Sequence, residues 1–172
     1  MLEELSFEQV VSAYTSTVYG VALTHTANRA DADDVFQEVF AAYWQSQPLL
    51  NSEEHRKAWL IRTTLNQSLK KTQSSWAKKT VLAEDEIETE PHSSASSSDF
   101  PFQTEQQMLL YAAIRSLAPA YRTVVMLFYF EDLSIAQIAD TLQEEQGTVK
   151  TRLSRARAQL RALLKEEGTR DD

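Results

Sequence analysis

The chain has 172 residues, 42% of them hydrophobic, and a net charge of −8 from 17 Lys and Arg against 25 Asp and Glu. It contains no cysteine, which excludes a disulfide framework and any thiolate metal site and suits a reducing compartment. The acidic, amphipathic start MLEELSFEQV is unlike a signal peptide, and the longest apolar run, Val124 to Phe130, is far too short to cross a bilayer, so a soluble intracellular protein is expected.

Three glycines and four prolines, set among long segments of 3.6-residue periodicity, predict an all-α protein. Phe7, Val10, Val11, Tyr14, Val18 and Val21 recur at helical spacing, although Thr15, Thr17 and Val18 are β-branched, so pattern overrides propensity in this first helix. A second helix starts near Asp31, a cap candidate, with Asp33 and Asp34 in its first turn. Its stripe of Val35, Phe36, Val39, Phe40, Tyr43 and Trp44 is read as core. The opposite face carries Asp34, Gln37, Glu38 and Gln45, a polar surface that is either solvated or turned to a partner.

After Pro48, Asn51 and Ser52 offer caps for a third helix from about Glu53, with Ala58, Ile61, Leu65 and Leu69 as its buried row. On its flank Trp59, Arg62, Thr63, Asn66 and Lys70 lie at helical spacing, ahead of Trp76, Lys78 and Lys79. Bases stack on aromatic rings and amides read base edges, so this row suits single-stranded or melted DNA. The competing reading packs Trp59 into the core and leaves the cations solvated. His55 to Thr80 contains Arg56, Lys57, Arg62, Lys70, Lys71, Lys78 and Lys79 and no acid, whereas Met1 to Glu54 is acidic with Arg29 as its one cation.

Ala83 to Phe102 reads AEDEIETEPHSSASSSDFPF, a linker composition rich in acids, Ser and Pro. Residues 81–103, extended at about 3.4 Å per residue, reach ~75 Å. That exceeds two turns of B-DNA at about 34 Å each, so two tethered domains could touch separate DNA elements. A surface loop inside one domain is the other reading, and ordered loops of this length are uncommon.

Leu133 to Lys165 reads as a helix-turn-helix. Ile135, Ile138, Ala139 and Leu142 share one face, and Val149, Leu153, Ala156, Leu160 and Leu163 share another. Ser134 is the expected cap of the first helix, and Gly147 with Thr148 marks the start of the second. From Thr148 to Lys165 the charged residues are Lys150, Arg152, Arg155, Arg157, Arg161 and Lys165, all cations. Such a helix is an electrostatic footprint for phosphate, and its N-terminus can enter a major groove. A solvated basic helix closing an ordinary bundle is the bland alternative. Enzyme chemistry finds no support: His25, His55 and His92 lie far apart with no Gly-rich phosphate loop or nucleophile motif. Asp33, Asp34 and Glu38 lack a matching ligand pair on a second helix, so no catalytic residue, metal, cofactor or small-molecule substrate is expected.

Three segments occur in order: DADDVFQEVFAAYW, AWLIRTTLNQSLKK, and LAPAYRTVVMLFYFEDLSIAQIADTL followed by GTVKTRLSRARAQL. Together they resemble the extracytoplasmic-function (ECF) sigma factors of the sigma-70 family, promoter-specificity subunits of bacterial RNA polymerase. Only the linker and the tail from Glu166 fall outside the resemblance. It implies two small helical domains joined by a flexible acidic and Ser-rich linker. The N-terminal helical bundle, residues 1–80, would be sigma region 2, which binds core polymerase and recognises and melts the −10 element. Residues 81–103 would be the linker, and the helix-turn-helix domain, 104–168, would be region 4, which recognises the −35 element.

Carried over by position, Asp33, Asp34, Val35, Gln37, Glu38 and Phe40 match the signature that docks on the polymerase clamp, with Asp34, Gln37 and Glu38 as exposed contacts. Leu49 to Arg56 matches the loop that captures a flipped −10 base. Arg56, at the end of that loop, and Trp59 would contact −10 DNA together with Arg62, Asn66 and Lys70, which would follow the melted strand. Lys150, Thr151, Ser154 and Arg155 match positions facing the −35 major groove, with Thr148 at the helix start and Arg152 and Arg157 toward phosphate. The implied partners are core RNA polymerase (clamp and flap), promoter DNA and an anti-sigma factor. The implied location is the cytoplasm, where such an inhibitor, often membrane-bound in the family, can hold the protein at the membrane.

The chain departs from the family pattern where Gln143, Glu144 and Glu145 replace the usual Gly, aliphatic and often Pro residues. A non-glycine residue in a left-handed turn costs roughly 1 kcal/mol, and the two acids either repel phosphate or cap the following helix. The basic tail after Lys71 is also thinner than in many members of the family. The alternative function is an ordinary helix-turn-helix regulator that never binds core polymerase; it would need a ligand pocket or dimer surface in place of a docking helix.

Overall fold

The computed structural model describes the backbone of residues 4–82 and 104–170 and the side chains of 4–73 and 104–165. Most of the predicted linker (83–103) and the side chains of Trp76, Lys78 and Lys79 lie outside the described residues. All regular structure among the described residues is helical, and the chain divides into two units, Met1–Pro101 and Phe102–Asp172.

The first unit holds α1 (Phe7–His25), α2 (Arg29–Ser46) and α3 (Glu53–Leu82), each packed on the other two. Helix α1 starts in a capping box: Gln9 N–H donates to Ser6 Oγ at 3.2 Å and Ser6 N–H to Gln9 Oε1 at 2.8 Å. Its β-branched residues are accommodated by back-bonding, as where the Thr24 hydroxyl donates to the Gly20 carbonyl. Helix α2 starts earlier than expected. Asn28, not Asp31, is the cap, and its Oδ1 accepts from Asp31 N–H at 2.9 Å. An Asn in extended backbone serves a cap as well as an Asp does, so a run of acids just downstream drew the boundary too late. Helix α3 is capped by Ser52, whose Oγ accepts from His55 N–H at 3.0 Å.

Val10, Val18, Val21 and Ala22 of α1, Ala32, Val35, Val39 and Phe40 of α2, and Leu60 and Ile61 of α3 form the core. Two expectations are corrected here. Trp44 is 59% exposed and meets Phe7 edge-on at 5.0 Å instead of entering the core. The buried row of α3 is Arg56, Leu60, Ile61, Thr64 and Ser68, whereas Leu69 is 58% exposed and Ala58 and Leu65 are half-buried. Helix α3 lies against both α1 and α2, so small hydroxyl residues occupy its buried arc; Thr64 Oγ1 donates to the Leu60 carbonyl at 2.7 Å, whereas the buried Ser68 hydroxyl has no hydrogen-bond partner among the described residues. Counting apolar residues alone therefore selects the wrong row.

The second unit holds α4 (Glu105–Ser116), α5 (Pro119–Val125), a π-turn (Met126–Phe130), α6 (Ile135–Leu142) and α7 (Gln146–Arg170). Thr104 and Gln107 box the start of α4, and Pro119 opens α5 where its missing N–H is harmless. The π-turn buries Met126 and Leu127 and carries Phe128 and Tyr129 outward, closed by Glu131 N–H to the Met126 carbonyl at 3.2 Å. Ser134 caps α6 as expected, in a box with Gln137. Helix α6 ends in a Schellman motif: Glu144 N–H donates to the Ala139 carbonyl at 2.9 Å and Gln143 N–H to the Asp140 carbonyl at 3.3 Å. Gln143 takes the left-handed position, φ 56°. Helix α7 then starts earlier than Gly147 and Thr148 suggest, because Val149 N–H already donates to the Glu145 carbonyl at 3.2 Å. Val149, Leu153, Ala156 and Leu160 are buried, and α7 packs on α4, α5 and α6.

Candidate nucleic-acid interface

The apolar stripe of α7 faces inward, which turns Lys150, Thr151, Ser154 and Arg155 to the surface; all four are exposed. Lys150 and Arg155 have no ion-pair partner among the described residues. Thr148 is half-buried, and Thr151 Oγ1 donates back to the Gly147 carbonyl at 3.0 Å. The remaining cations of this helix are not equivalent. Arg152 is half-buried and its Nη1 lies 3.4 Å from Glu144 Oε1 in the turn. Arg157 is half-buried against the π-turn, its guanidinium carbon 5.3 Å from the Phe128 ring centre and 5.5 Å from that of Tyr129. Its Nε donates to the Tyr129 hydroxyl. Beside it an apolar cavity of about 640 Å³ opens in this unit, lined by Leu110, Ile114, Leu160 and Leu164 with Arg157 and Arg161.

The predicted row on α3 splits in the same way. Asn66 and Lys70 are exposed, and Trp59 and Arg62 are half-buried. Trp59 meets Tyr43 of α2 edge-on at 5.7 Å, so one side of its ring is committed to the helix pair. Arg56 is 6% exposed. Its guanidinium donates to the Glu53 carboxylate and, at 3.2 Å, to the Tyr43 hydroxyl. The Tyr14 hydroxyl donates to the other Glu53 oxygen at 2.7 Å, so the Glu53–Arg56 pair of α3 reaches α1 through Tyr14 and α2 through Tyr43. Burial, and then the Glu53 carboxylate, push the Tyr14 phenol well above its ordinary range. Burial pushes Glu53 up, but the hydrogen bonds from Tyr14 and Arg56 outweigh it and hold the carboxyl below its usual value.

On α2, Val35 and Phe40 are core residues at 0% and 4% exposure, so their part in the matched signature is to hold the helix. Asp34, Gln37 and Glu38 share one exposed face. Asp33 accepts from the Tyr19 hydroxyl at 2.9 Å, and Asp34 accepts from Lys71 Nζ of α3 at 2.9 Å, which raises the Lys71 pKa. Phe128 and Tyr129 were not singled out from sequence, Lys71 only as one charge of a basic block, and Glu144 only as an acid of the turn, with neither partner foreseen. Their contacts join residues on different elements, and helical periodicity carries no signal for them. No group of acids and histidines among the described residues could hold a metal, and no described helix is long and apolar enough to cross a membrane.

Residues 10–78 match the family model described as Sigma-70 region 2, and residues 107–160 match Sigma-70, region 4. The chain is 30% identical over 161 residues to the RNA polymerase sigma factor SigV of Bacillus subtilis, spanning 91% of this chain and 90% of that protein. It is 28% identical over 156 residues to the ECF RNA polymerase sigma factor SigL of Mycobacterium tuberculosis, spanning 90% and 86%. Among solved structures, the sigma factor RpoE of Bartonella quintana in complex with the anti-sigma factor NepR is similar with a TM-score of 0.72 at 22% identity, covering 92% of this chain and 96% of that one. CnrH in complex with the cytosolic domain of CnrY is similar with a TM-score of 0.65 at 24% identity, covering 93% and 88%.

Proposed function

The chain belongs to the ECF sigma factors of the sigma-70 family, a sigma factor for promoter recognition by RNA polymerase and not an enzyme, and from that premise we propose how its surfaces divide the work. Region 4 reads the −35 element through Lys150, Thr151, Ser154 and Arg155, with Thr148 at the helix start and Arg152 toward phosphate. The observation that carries this assignment is the four exposed side chains of one α7 face backed by Val149, Leu153, Ala156 and Leu160. Region 2 holds the melted −10 strand along Trp59, Arg62, Asn66 and Lys70, with the loop from Leu49 accepting a flipped base. Arg56 serves that loop from behind, as the anchor of the α3 start, since a residue 6% exposed and already bonded to Glu53 and Tyr43 offers DNA almost no surface.

Asp34, Gln37 and Glu38 are the clamp-docking contacts, an acidic and amide face with Val35 and Phe40 anchored behind it. The apolar cavity of the second unit supports a further contact with the polymerase flap. We place the functional boundaries at 1–80, 81–103 and 104–168, the middle segment acting as a tether. The similar sigma factor RpoE of Bartonella quintana is in complex with an anti-sigma factor, and an anti-sigma factor is the proposed regulator here. The proposed location is the cytoplasm, with attachment to the membrane through that inhibitor.

Pulldown with core RNA polymerase combined with run-off transcription tests the assignment. The protein should co-purify with core and support promoter-dependent initiation. Binding to duplex DNA without binding to core would instead support a plain helix-turn-helix regulator. Lys150→Ala with Arg155→Ala should cut −35-dependent initiation at least ~10-fold, each lost base contact being worth about 1–3 kcal/mol; undiminished initiation by the double variant would reject the assigned face.

A further inference from the structure

Arg157 stands seven residues after Lys150, two helical turns along the same face and about 10 Å further down the axis. Periodicity alone aligns it with the DNA-facing row. Its surroundings differ from those of Lys150 and Arg155. Phe128 and Tyr129 meet edge-to-face, ring centres 5.0 Å apart and planes 77° apart, and form a corner into which the guanidinium fits within 5.5 Å of both rings. The Tyr129 hydroxyl takes up Nε. A planar, weakly hydrated guanidinium suits such a corner, and an ammonium does not reproduce it. The corner is itself fixed, because Met126 and Leu127 of the same π-turn are buried.

The left-handed Gln143 sets the entry of α7, and the buried Val149, Leu153, Ala156 and Leu160 seat its inner face. Arg157, in the fourth turn, adds a polar fixed point beside that stripe, which limits how far α7 can rock and turn on its apolar seat. We propose that Arg157 is a positioning residue, which pins α7 to the Phe128–Tyr129 corner and so aims Lys150, Thr151, Ser154 and Arg155, and that it is not a phosphate contact. This rests on the assignment of α7 as the −35 reader. The helix direction matters because a base contact requires its donors within hydrogen-bonding distance of particular base edges, whereas a phosphate accepts charge from many directions.

The two roles leave different signatures in salt. A phosphate contact adds about 0.9 to the slope of log affinity against log salt on B-DNA; a positioning residue adds nothing to the slope and changes discrimination between sequences. The test uses the full chain assembled on core polymerase. A fluorescent duplex selected by the wild-type complex from a random pool is compared with a shuffled duplex of the same base composition. Arg157→Ala should reduce the selected-to-shuffled affinity ratio roughly tenfold, the worth of one good base contact, with an unchanged salt slope. Arg157→Lys, which keeps the charge and loses the stacking plane, should behave like the alanine variant, and Tyr129→Phe should fall between it and wild type.

Arg152→Ala, at the cation assigned to phosphate, provides the contrast, with a slope shallower by about 0.9. The proposal is overturned if Arg157→Ala weakens both duplexes equally with that same shallower slope, if Arg157→Lys restores wild-type discrimination, or if no Arg157 variant changes the ratio. Should the alanine variant fail to fold, the lysine and Tyr129→Phe variants decide the matter by the same readouts. A wild-type complex that selects no duplex would overturn the promoter assignment itself, an outcome distinct from normal selection with altered Arg157 behaviour.

Discussion

Glu144 and Arg152 face each other at 3.4 Å, so a cation assigned to DNA phosphate already holds a carboxylate of its own chain. An exposed pair of this kind contributes no more than about 1 kcal/mol, and its effect on the fold is small. Its effect on binding is larger, because the acid sits beside the end of α7 that approaches the groove. Glu144→Gln should raise affinity for duplex DNA several-fold at low salt, and the gain should shrink as salt increases and vanish in an Arg152→Ala background; anisotropy titrations of the four proteins check this. A titratable residue with the opposite character is Glu53, whose carboxyl is depressed in the fold by Tyr14 and Arg56 despite its partial burial. A depressed folded-state pKa gives stability that is complete above the unfolded value near pH 4.3 and is lost as pH falls through the folded value. Glu53→Gln should therefore flatten the acid limb of the melting-temperature profile below about pH 5, while wild type falls more steeply.

Among the elements, the amphipathic stripes of α1, α2, α6 and α7 were legible in the sequence because each has one wide apolar face against one core. Helix α3 was legible as a helix and misread as to its face, since Thr64 and Ser68 are buried and Leu69 is not. The turn between α6 and α7 shows a second limit of pattern. Gly147 looks like the punctuation mark, yet it lies inside α7, and the left-handed position falls to Gln143. The hydrogen bonds of the Schellman motif, from Gln143 and Glu144 to carbonyls of α6, hold that residue where a glycine would be at ease. Gln143→Gly should raise stability by roughly 0.5–1 kcal/mol, the relief of φ strain being partly offset by the greater freedom of the unfolded chain. Thermal melts of the wild type and variant, expected to differ by a few degrees, measure it directly.

At the scale of the whole chain, two helical units could be recognised from composition and from the order of three motifs. The contacts that tune the surfaces could not, because Asp34 meets Lys71 from 37 positions away and Tyr129 meets Arg157 from 28. Each unit has its own buried core, so fragments 1–80 and 104–168 prepared separately should each melt cooperatively by circular dichroism; a fragment lacking a transition would show that its core depends on the other. The Asp34–Lys71 pair, at 2.9 Å, joins the proposed clamp-docking face to the helix carrying Asn66 and Lys70. A polymerase cation docking on Asp34, as proposed, would hand Lys71 back to solvent as an additional positive charge on the helix proposed to hold the melted strand. Occupation of one face and of the other thereby become thermodynamically coupled, and by reciprocity the melted strand tightens the grip on the enzyme by the same factor that the enzyme tightens the grip on the strand.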